Sequence, residues 1–177
     1  MDRIQDRKKQ PGFSLVELII VIAIMALMAS GVAVSIGLLR SSDTKKLANE
    51  INSSLTTLRS DNMAKSELSY MHIYHYNDDY YIQMSKDPTP SEDGSGKNIG
   101  SGSVSVRFKG ESNISLGSGL TSTLTFCINK KDGSFQPKVN NTELKPTSEI
   151  EISSINTSTK YRIVLVRDTG RHYMEVE

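Results

Sequence analysis

The sequence has little that could cross-link it or bind metal through thiolates. Cys127 is the single cysteine among 177 residues, so the chain can form neither an internal disulfide nor a metal site of several cysteines. Tryptophan is absent, and the formal net charge is only +1. A chain this close to neutral lacks the general positive field of a protein that binds nucleic acid or anionic membrane by electrostatics alone.

Charge is also missing from one long stretch near the N-terminus. Residues 18–39 contain no Asp, Glu, Lys or Arg over 22 consecutive positions. As a helix, a run of this length spans about 30 Å of hydrocarbon. Arg7, Lys8 and Lys9 precede it, and such a local cation excess predicts a cytoplasmic N-terminus with the body outside. An ordinary signal peptide has a shorter apolar core, and a plain signal anchor leaves the embedded carboxylate of Glu17 unexplained.

The residues around Glu17 form a recognisable order. A basic leader ends in Gly12, aromatic Phe13 follows, Glu17 comes four residues later, and the apolar run continues from there. This order closely resembles the signature of type IV pilins and of type II secretion pseudopilins, although Pro11 before the glycine is unusual. The resemblance implies that a prepilin peptidase cuts between Gly12 and Phe13 and that Phe13 becomes the N-methylated first residue. It also implies that Glu17 meets the N-terminus of a neighbouring subunit during assembly.

Beyond residue 40 the sequence has the pattern of an amphipathic helix, which extends to about residue 66. Apolar residues recur there every three or four positions, at Leu47, Ile51, Leu55 and Leu58. No proline interrupts the segment, so one helix from Phe13 is expected. The alternative is a new helix capped by the Ser-Ser-Asp sequence at 41–43.

The remaining sequence predicts antiparallel strands. The expected strands are 70–76, 80–84, 104–108, 124–128, 150–152, 161–166 and 172–176, and 86–102 is expected to be a loop. The fold class is therefore α+β, a long N-terminal helix with an antiparallel sheet packed on its second half, as in the pilin fold. The predicted organisation is a cleaved leader (1–12), a transmembrane or filament-core helix (13–39), an amphipathic helix (40–66) and a β head (67–177).

Two short patterns in the head resemble a subgroup of that family. An apolar strand is followed by Asp132 and Gly133, and a late strand ends at Gly170 and Arg171. Both patterns are similar to those of H-type minor pseudopilins and FimT-like minor pilins. The resemblance implies a non-enzymatic structural subunit, a minor one, of a type IV pilus or a type II secretion pseudopilus.

The resemblance also implies a location and a set of partners. The expected location is the bacterial inner membrane, crossed once with the head outside, and afterwards the filament. The expected partners are the prepilin peptidase, other pilin or pseudopilin subunits, the inner-membrane assembly platform and, before assembly, membrane lipid.

Other candidate chemistry in the sequence is weak, and neither a cofactor nor a metal is expected. His72 and His75 are three residues apart on a strand, so they face opposite sides and are unsuited to one metal. Residues 94–97 lack the spacing of a phosphate loop, and a loop calcium site within 87–94 stays open. Cys127 lies in an apolar strand and is expected to be buried. No nucleophilic triad can be assembled, although a membrane-anchored enzyme remains a third alternative.

A second functional hypothesis concerns the end of the chain. Residues 67–177 carry 12 basic and 14 acidic side chains, which gives DNA binding no general support. A local basic cluster consists of Lys160, Arg162, Arg167 and Arg171. These arginines are the candidate ligand-binding residues of the alternative function, a tip-exposed minor pilin of a competence or adhesion pilus that binds DNA or a surface. The competing interpretation is an ordinary solvated face.

Overall fold

The fold consists of one helix and a set of antiparallel strands. The computed structural model describes residues 14–91, 93–117, 123–136, 138–139, 142–154 and 158–177, with the backbone alone described for 29–41, 138 and 142. Helix α1 (Leu15–Ala64) precedes eleven strands and one 3-10 helix in this part of the chain. The chain divides into two compact units between Ile36 and Gly37. The α+β class expected from the sequence is confirmed.

The strands belong to the second unit, Gly37–Glu177, which we call the head unit. They are β1 (Tyr70–Tyr76), β2 (Asp79–Ser85), β3 (Lys97–Ser101), β4 (Val104–Lys109), β5 (Asn113–Leu116), β6 (Thr123–Cys127), β7 (Lys138–Val139), β8 (Thr142–Glu143), β9 (Thr147–Ser154), β10 (Lys160–Val166) and β11 (Arg171–Val176). A four-stranded sheet has the order β3-β2-β1-β6, and a five-stranded sheet has the order β11-β10-β9-β4-β5. Strands β7 and β8 pair separately, and the 3-10 helix (Arg167–Thr169) joins β10 to β11.

The part of α1 within the head unit buries one apolar stripe. Leu47, Ile51, Leu55 and Leu58 are all fully buried and share one core with residues of both sheets. Their spacing of three or four residues places them on one side of the helix. The backbone of α1 is helical through residues 41–43, so the alternative of a new helix capped there is wrong.

Asn62 is a fully buried polar side chain near the end of α1. Its Nδ2 donates to the carbonyl oxygens of Ser69 at 2.9 Å and Ile128 at 3.1 Å, and its Oδ1 accepts the N–H of Ser69 at 2.7 Å. Buried backbone polar groups need such partners, because an unpaired group costs about as much as a lost hydrogen bond. The amide of Asn62 thus connects α1 to the start of β1 and to the end of β6.

The hairpin between β1 and β2 has the turn that its sequence predicts. Asn77 and Asp78 both have positive φ angles, 48° and 63°. Two consecutive residues in this region make a two-residue hairpin turn, and Asn and Asp tolerate it better than other non-glycine residues.

The head unit contains strands that the sequence pattern did not predict. Strand β3 lies inside the segment 86–102 that was expected to be a loop, and β5, β7 and β8 were not expected either. In β3 only Ile99 is buried, and its pairing with β2 shifts register between Tyr80 and Tyr81. Edge strands this short lack a clear apolar alternation, so their pairing depends on the neighbouring strand rather than on their own sequence.

Candidate functional site

Ser14 forms the N-terminal cap of α1. The N–H of Glu17 donates to Ser14 Oγ at 3.2 Å, so the hydroxyl satisfies one of the free donors in the first helical turn. Sequence reasoning missed this role, although the Ser-x-x-Glu spacing is the signature of a capping box. Gly12 and Phe13, the predicted cleavage and methylation residues, lie outside the described residues.

Glu17 lies in the first turn of α1 and is exposed. A carboxylate in this position interacts favourably with the partial positive charge of the helix N-terminus. The large apolar side chains between Leu15 and Met28 are also exposed, with solvent-accessible fractions from 46% to 74%. They point in all directions around this part of the helix. Within the part of the chain that the structure describes, no helix has both the length and the apolarity needed to cross a membrane.

Replacing Ser14 with alanine is expected to loosen the first turn of α1. The lost cap corresponds to about 1 kcal/mol of local helix stability. Hydrogen exchange of the Glu17 amide, measured on the full chain in a mild detergent, should become faster in Ser14→Ala. Ser14→Thr should restore the protection, and Ser42→Ala, a change at an exposed position within the same helix, should have no effect on it. Equal protection of the Glu17 amide in Ser14→Ala and in the unaltered chain would contradict the capping role.

Arg162, one of the candidate ligand-binding residues, is held by three carboxylates. Its guanidinium nitrogens lie 2.8 Å from Glu175, 3.2 Å from Glu177 and 3.6 Å from Glu149. The hydrogen bond to Glu175 raises the pKa of Arg162 above its ordinary value. The carboxylates come from β9 and from the end of the chain, so Arg162 joins neighbouring strands on the outer face of the five-stranded sheet.

Arg167 is also engaged within the head unit, whereas Arg171 is exposed. Arg167 Nε lies 2.8 Å from Asp168, and its Nη1 donates to the carbonyl oxygen of Leu144 at 3.1 Å. Arg171 begins β11 and borders an open cavity of about 450 Å³, which is lined by Val166, Thr169, Arg171, His172 and Tyr173. Two of the three candidate guanidinium groups are therefore already paired with carboxylates, and binding of DNA or of a surface ligand stays a prediction.

The two glycine patterns noted in the sequence lie against each other in the head unit. Gly133 and Gly170 both have positive φ angles, 70° and 62°. A Cβ atom built at Gly170 would lie 1.7 Å from the carbonyl oxygen of Gly133, which is far inside contact distance. The N–H of Phe135 donates to the carbonyl oxygen of Arg167 at 2.9 Å across the same contact. The turn after β6 and the turn before β11 thus form one unit, which we call the glycine junction.

His72 is fully buried beneath a strap, residues 86–91 and 93–96, on the outer face of the four-stranded sheet. Its Nε2 lies 3.0 Å from the carbonyl oxygen of Asp87, and its Nδ1 lies 3.0 Å from Thr125 Oγ1. A carbonyl can only accept, so Nε2 carries a proton; when the ring is neutral, Nδ1 accepts from the Thr125 hydroxyl. Burial lowers the pKa of His72, although the bond to the Asp87 carbonyl and the charge of Asp87 oppose that shift.

Further hydrogen bonds tie the strap to β1 and β2. The N–H of Gly96 donates to the Tyr74 hydroxyl at 3.0 Å. The Gln83 amide bonds twice to the strap, accepting from the N–H of Ser91 and donating to Ser95 Oγ, each at 3.3 Å. A Cβ atom at Gly96 would lie 2.8 Å from the Tyr74 hydroxyl oxygen, so the strap can approach the sheet here only through a glycine.

His75 and Cys127 pack within the head unit. His75 packs edge-on against Tyr80 at 5.1 Å between ring centroids and, as expected from strand alternation, lies on the face opposite His72. Cys127 is buried, and burial raises the pKa of its thiol. Among the described His, Cys, Asp and Glu side chains, no three are placed to hold a metal ion together.

The acidic side chains of the strap bond to their own backbone. Asp87 accepts the N–H of Thr89 at 2.8 Å, and Asp93 accepts the N–H of Ser95 at 3.0 Å. The hydrogen bonds from Ser95 lower the pKa of Asp93. Such local bonds are typical of Asx turns, so Asp87 and Asp93 each take part in a turn of the strap, and a calcium site within 87–94 stays a prediction.

The class of protein follows from the fold together with the N-terminal sequence. An N-terminal helix followed by antiparallel sheets is consistent with the pilin fold. Residues 7–33 match the family model of the prokaryotic N-terminal methylation motif, which is the signature of type IV pilins and pseudopilins. No curated protein and no solved structure matches the chain. The motif implies interaction with a prepilin peptidase and with other pilin subunits, while the H-type or FimT-like subgroup stays a prediction.

Proposed function

We propose that the chain is a structural minor subunit of a type IV pilus or a type II secretion pseudopilus, processed after Gly12 and assembled through α1. The observation that carries the proposal is the methylation motif at residues 7–33, which continues into a helix with exposed apolar side chains. An apolar surface around this first part of α1 needs lipid or protein to cover it. A subunit that passes from membrane to filament has a cover in each state.

The proposal includes a stage in the bacterial inner membrane. The subunit crosses once through its N-terminal helix, with its N-terminus in the cytoplasm and its head outside, before the assembly platform transfers it to the filament. The cations Arg7, Lys8 and Lys9 support this orientation, because positive charge near a span favours the cytoplasmic side. Membrane lipid covers the helix first, and neighbouring subunits cover it afterwards.

Glu17 has a role in this transfer that follows from charge. Cleavage after Gly12 frees an amine at Phe13, and a protonated amine attracts a carboxylate far more strongly in a low-dielectric environment than in water. An unpaired carboxylate in a bilayer is costly. Pairing between Glu17 of one subunit and the methylated N-terminus of the next therefore favours the filament over the membrane.

Processing can be tested by the mass of the mature chain. When the full chain is produced together with a prepilin peptidase, we expect the mature protein to begin at a methylated Phe13. Gly12→Val should remain uncleaved, and Ser14→Ala, a nearby change that leaves both residues of the cut intact, should still be cleaved. An unaltered chain that keeps Met1 in the presence of active peptidase would refute the proposed processing.

Assembly can be tested separately at Glu17. Glu17→Gln should insert and be cleaved normally but enter sheared filaments at least about tenfold less, because one charge-assisted contact between subunits is lost. Asp43→Asn is the matched control, since Asp43 is another exposed carboxylate of α1. If filaments incorporate both variants equally, Glu17 has no role in assembly. The result would leave the proposed cleavage after Gly12 untouched.

A further inference from the structure

Hydrogen bonds join the described part of the strap to the four-stranded sheet. Its described residues, 86–91 and 93–96, include two prolines but none of the larger apolar side chains. Beneath it lie the fully buried side chains of His72 and Tyr74, and Tyr74 stacks on Tyr81 with 5.5 Å between ring centroids. Little hydrophobic burial secures the strap, so its position depends on a few hydrogen bonds.

We propose that the strap is a pH-sensitive cover, which protonation of His72 releases from the sheet while the core of the head unit stays folded. This inference is independent of the proposed function. The geometry supports it because the ring is fully buried beneath the strap, to which it donates through Nε2 at the Asp87 carbonyl oxygen. A second ring proton only turns the Thr125 bond round, since a hydroxyl accepts as well as donates, but it places a cation in a fully buried site.

The groups that face His72 offer little compensation for that cation. On β1, Tyr70 stacks on the ring at 6.4 Å between centroids, and on β2 the cross-strand neighbour is Gln83. On β6 the neighbour is Thr125, and on the strap it is Asp87, the one described carboxylate whose charge favours protonation of the ring. Burial outweighs that charge, because the pKa of His72 is lowered.

The direction of the pH effect follows from this shift. When the strap is open, the exposed ring takes up a proton at the ordinary histidine pKa of about 6.5, whereas the closed site resists it. His72 therefore contributes fully to the free energy of strap closure above about pH 6.5. This contribution declines as the pH falls from about 6.5 toward the lowered pKa of the closed state. Over that interval the open fraction rises by up to about tenfold per pH unit.

Release is expected to be local, because the other face of β1 belongs to the core. Met71 and Ile73 point away from the strap and are fully buried in the core shared with α1. The strap is also joined at its two ends by ion pairs from Lys86 to Glu67 and from Lys97 to Glu50. The strap connects the end of β2 to the start of β3, and the pairing of these two strands keeps both ends in place when the middle of the strap leaves the sheet.

Hydrogen exchange of the full chain in a mild detergent, corrected for the intrinsic pH dependence of exchange, tests the proposal. Between pH 7.5 and pH 5 the protection of the Ser91 and Gly96 amides should fall, by at most about tenfold per pH unit, while the amides of β9 and β10 keep theirs. His72→Gln should abolish this pH dependence. His172→Gln should retain it, because His172 bonds to Thr56 in another part of the head unit.

The unaltered chain gives a second measurement that does not depend on a variant folding. The imidazole NMR signals of His72 should titrate below the ordinary histidine range, and their change should follow the loss of strap protection with the same midpoint. The proposal is overturned if strap protection is independent of pH, if the whole head unit loses protection together, or if His72 titrates without any change in the strap.

Discussion

Gly170→Ala should destabilise the head unit by about 3 kcal/mol, the largest effect that we expect from adding a single methyl group. The added Cβ would lie 1.7 Å from the Gly133 carbonyl oxygen, so one of the two turns of the glycine junction has to move. Such a movement strains the hydrogen bond between Phe135 and Arg167 and adds the cost of a positive φ angle at a residue with a side chain. Thermal unfolding of the full chain in a mild detergent should show a midpoint about 10 °C lower.

Gly94→Ala separates the two causes of this loss. Gly94 also has a positive φ angle, 74°, but its added Cβ would meet side-chain ring atoms, of Tyr76 at 3.2 Å and of Tyr81 at 4.0 Å, and no backbone. We expect a loss of about 1 kcal/mol there, mainly the backbone contribution, because the exposed ring of Tyr76 can move aside by a few tenths of an ångström. If the two variants lost the same stability, the close approach of the two turns would have no energetic importance.

Asn62→Ala should cost about 3 kcal/mol of unfolding free energy. The substitution removes one side chain but leaves three backbone groups without it, two of Ser69 in a partly buried place and one of Ile128 in a buried place. Each buried polar group that loses its hydrogen bond costs about 1–3 kcal/mol, although rearrangement recovers part of the sum. The measurement is urea unfolding of the full chain in a mild detergent.

Asn49→Ala is the matched control for Asn62, because Asn49 is exposed on the same helix. Its effect should stay within about 0.5 kcal/mol. Asn62→Asp provides a sharper comparison, since it keeps the acceptor for the Ser69 N–H but loses both donors and introduces a buried charge. A stability of Asn62→Asp equal to that of the unaltered chain would show that the two donated bonds have no importance.

The sequence predicted those elements that depend on residues close together in the chain. Asn77 and Asp78 provide a turn that tolerates positive φ angles, and the hairpin forms there. The apolar stripe from Leu47 to Leu58 has helical spacing, and all of it is buried. The order of Gly12, Phe13 and Glu17 indicated the methylation motif, which the family model confirms at residues 7–33.

Contacts between distant segments could not be predicted in the same way. Gly133 and Gly170 each predict a turn, but nothing in either pattern indicates that the two turns touch. Asn62 occupies a position in the buried stripe of α1, where its polarity has no explanation until Ser69 and Ile128 are placed beside it. Arg162 belongs to a cluster of basic residues, which suggested a ligand-binding site. Only the pairing of the strands shows that carboxylates lie beside its guanidinium group.

The single cysteine, Cys127, makes thiol labelling a measure of how often the head unit opens. Cys127 is 5% exposed, and burial raises the pKa of its thiol, so a thiol reagent reacts with it only when the surrounding strand opens. No other residue of the chain competes for the reagent. The labelling rate of the unmodified protein therefore reports how often the head unit opens. A comparison between detergent, membrane and filament would show which environment holds the subunit most firmly.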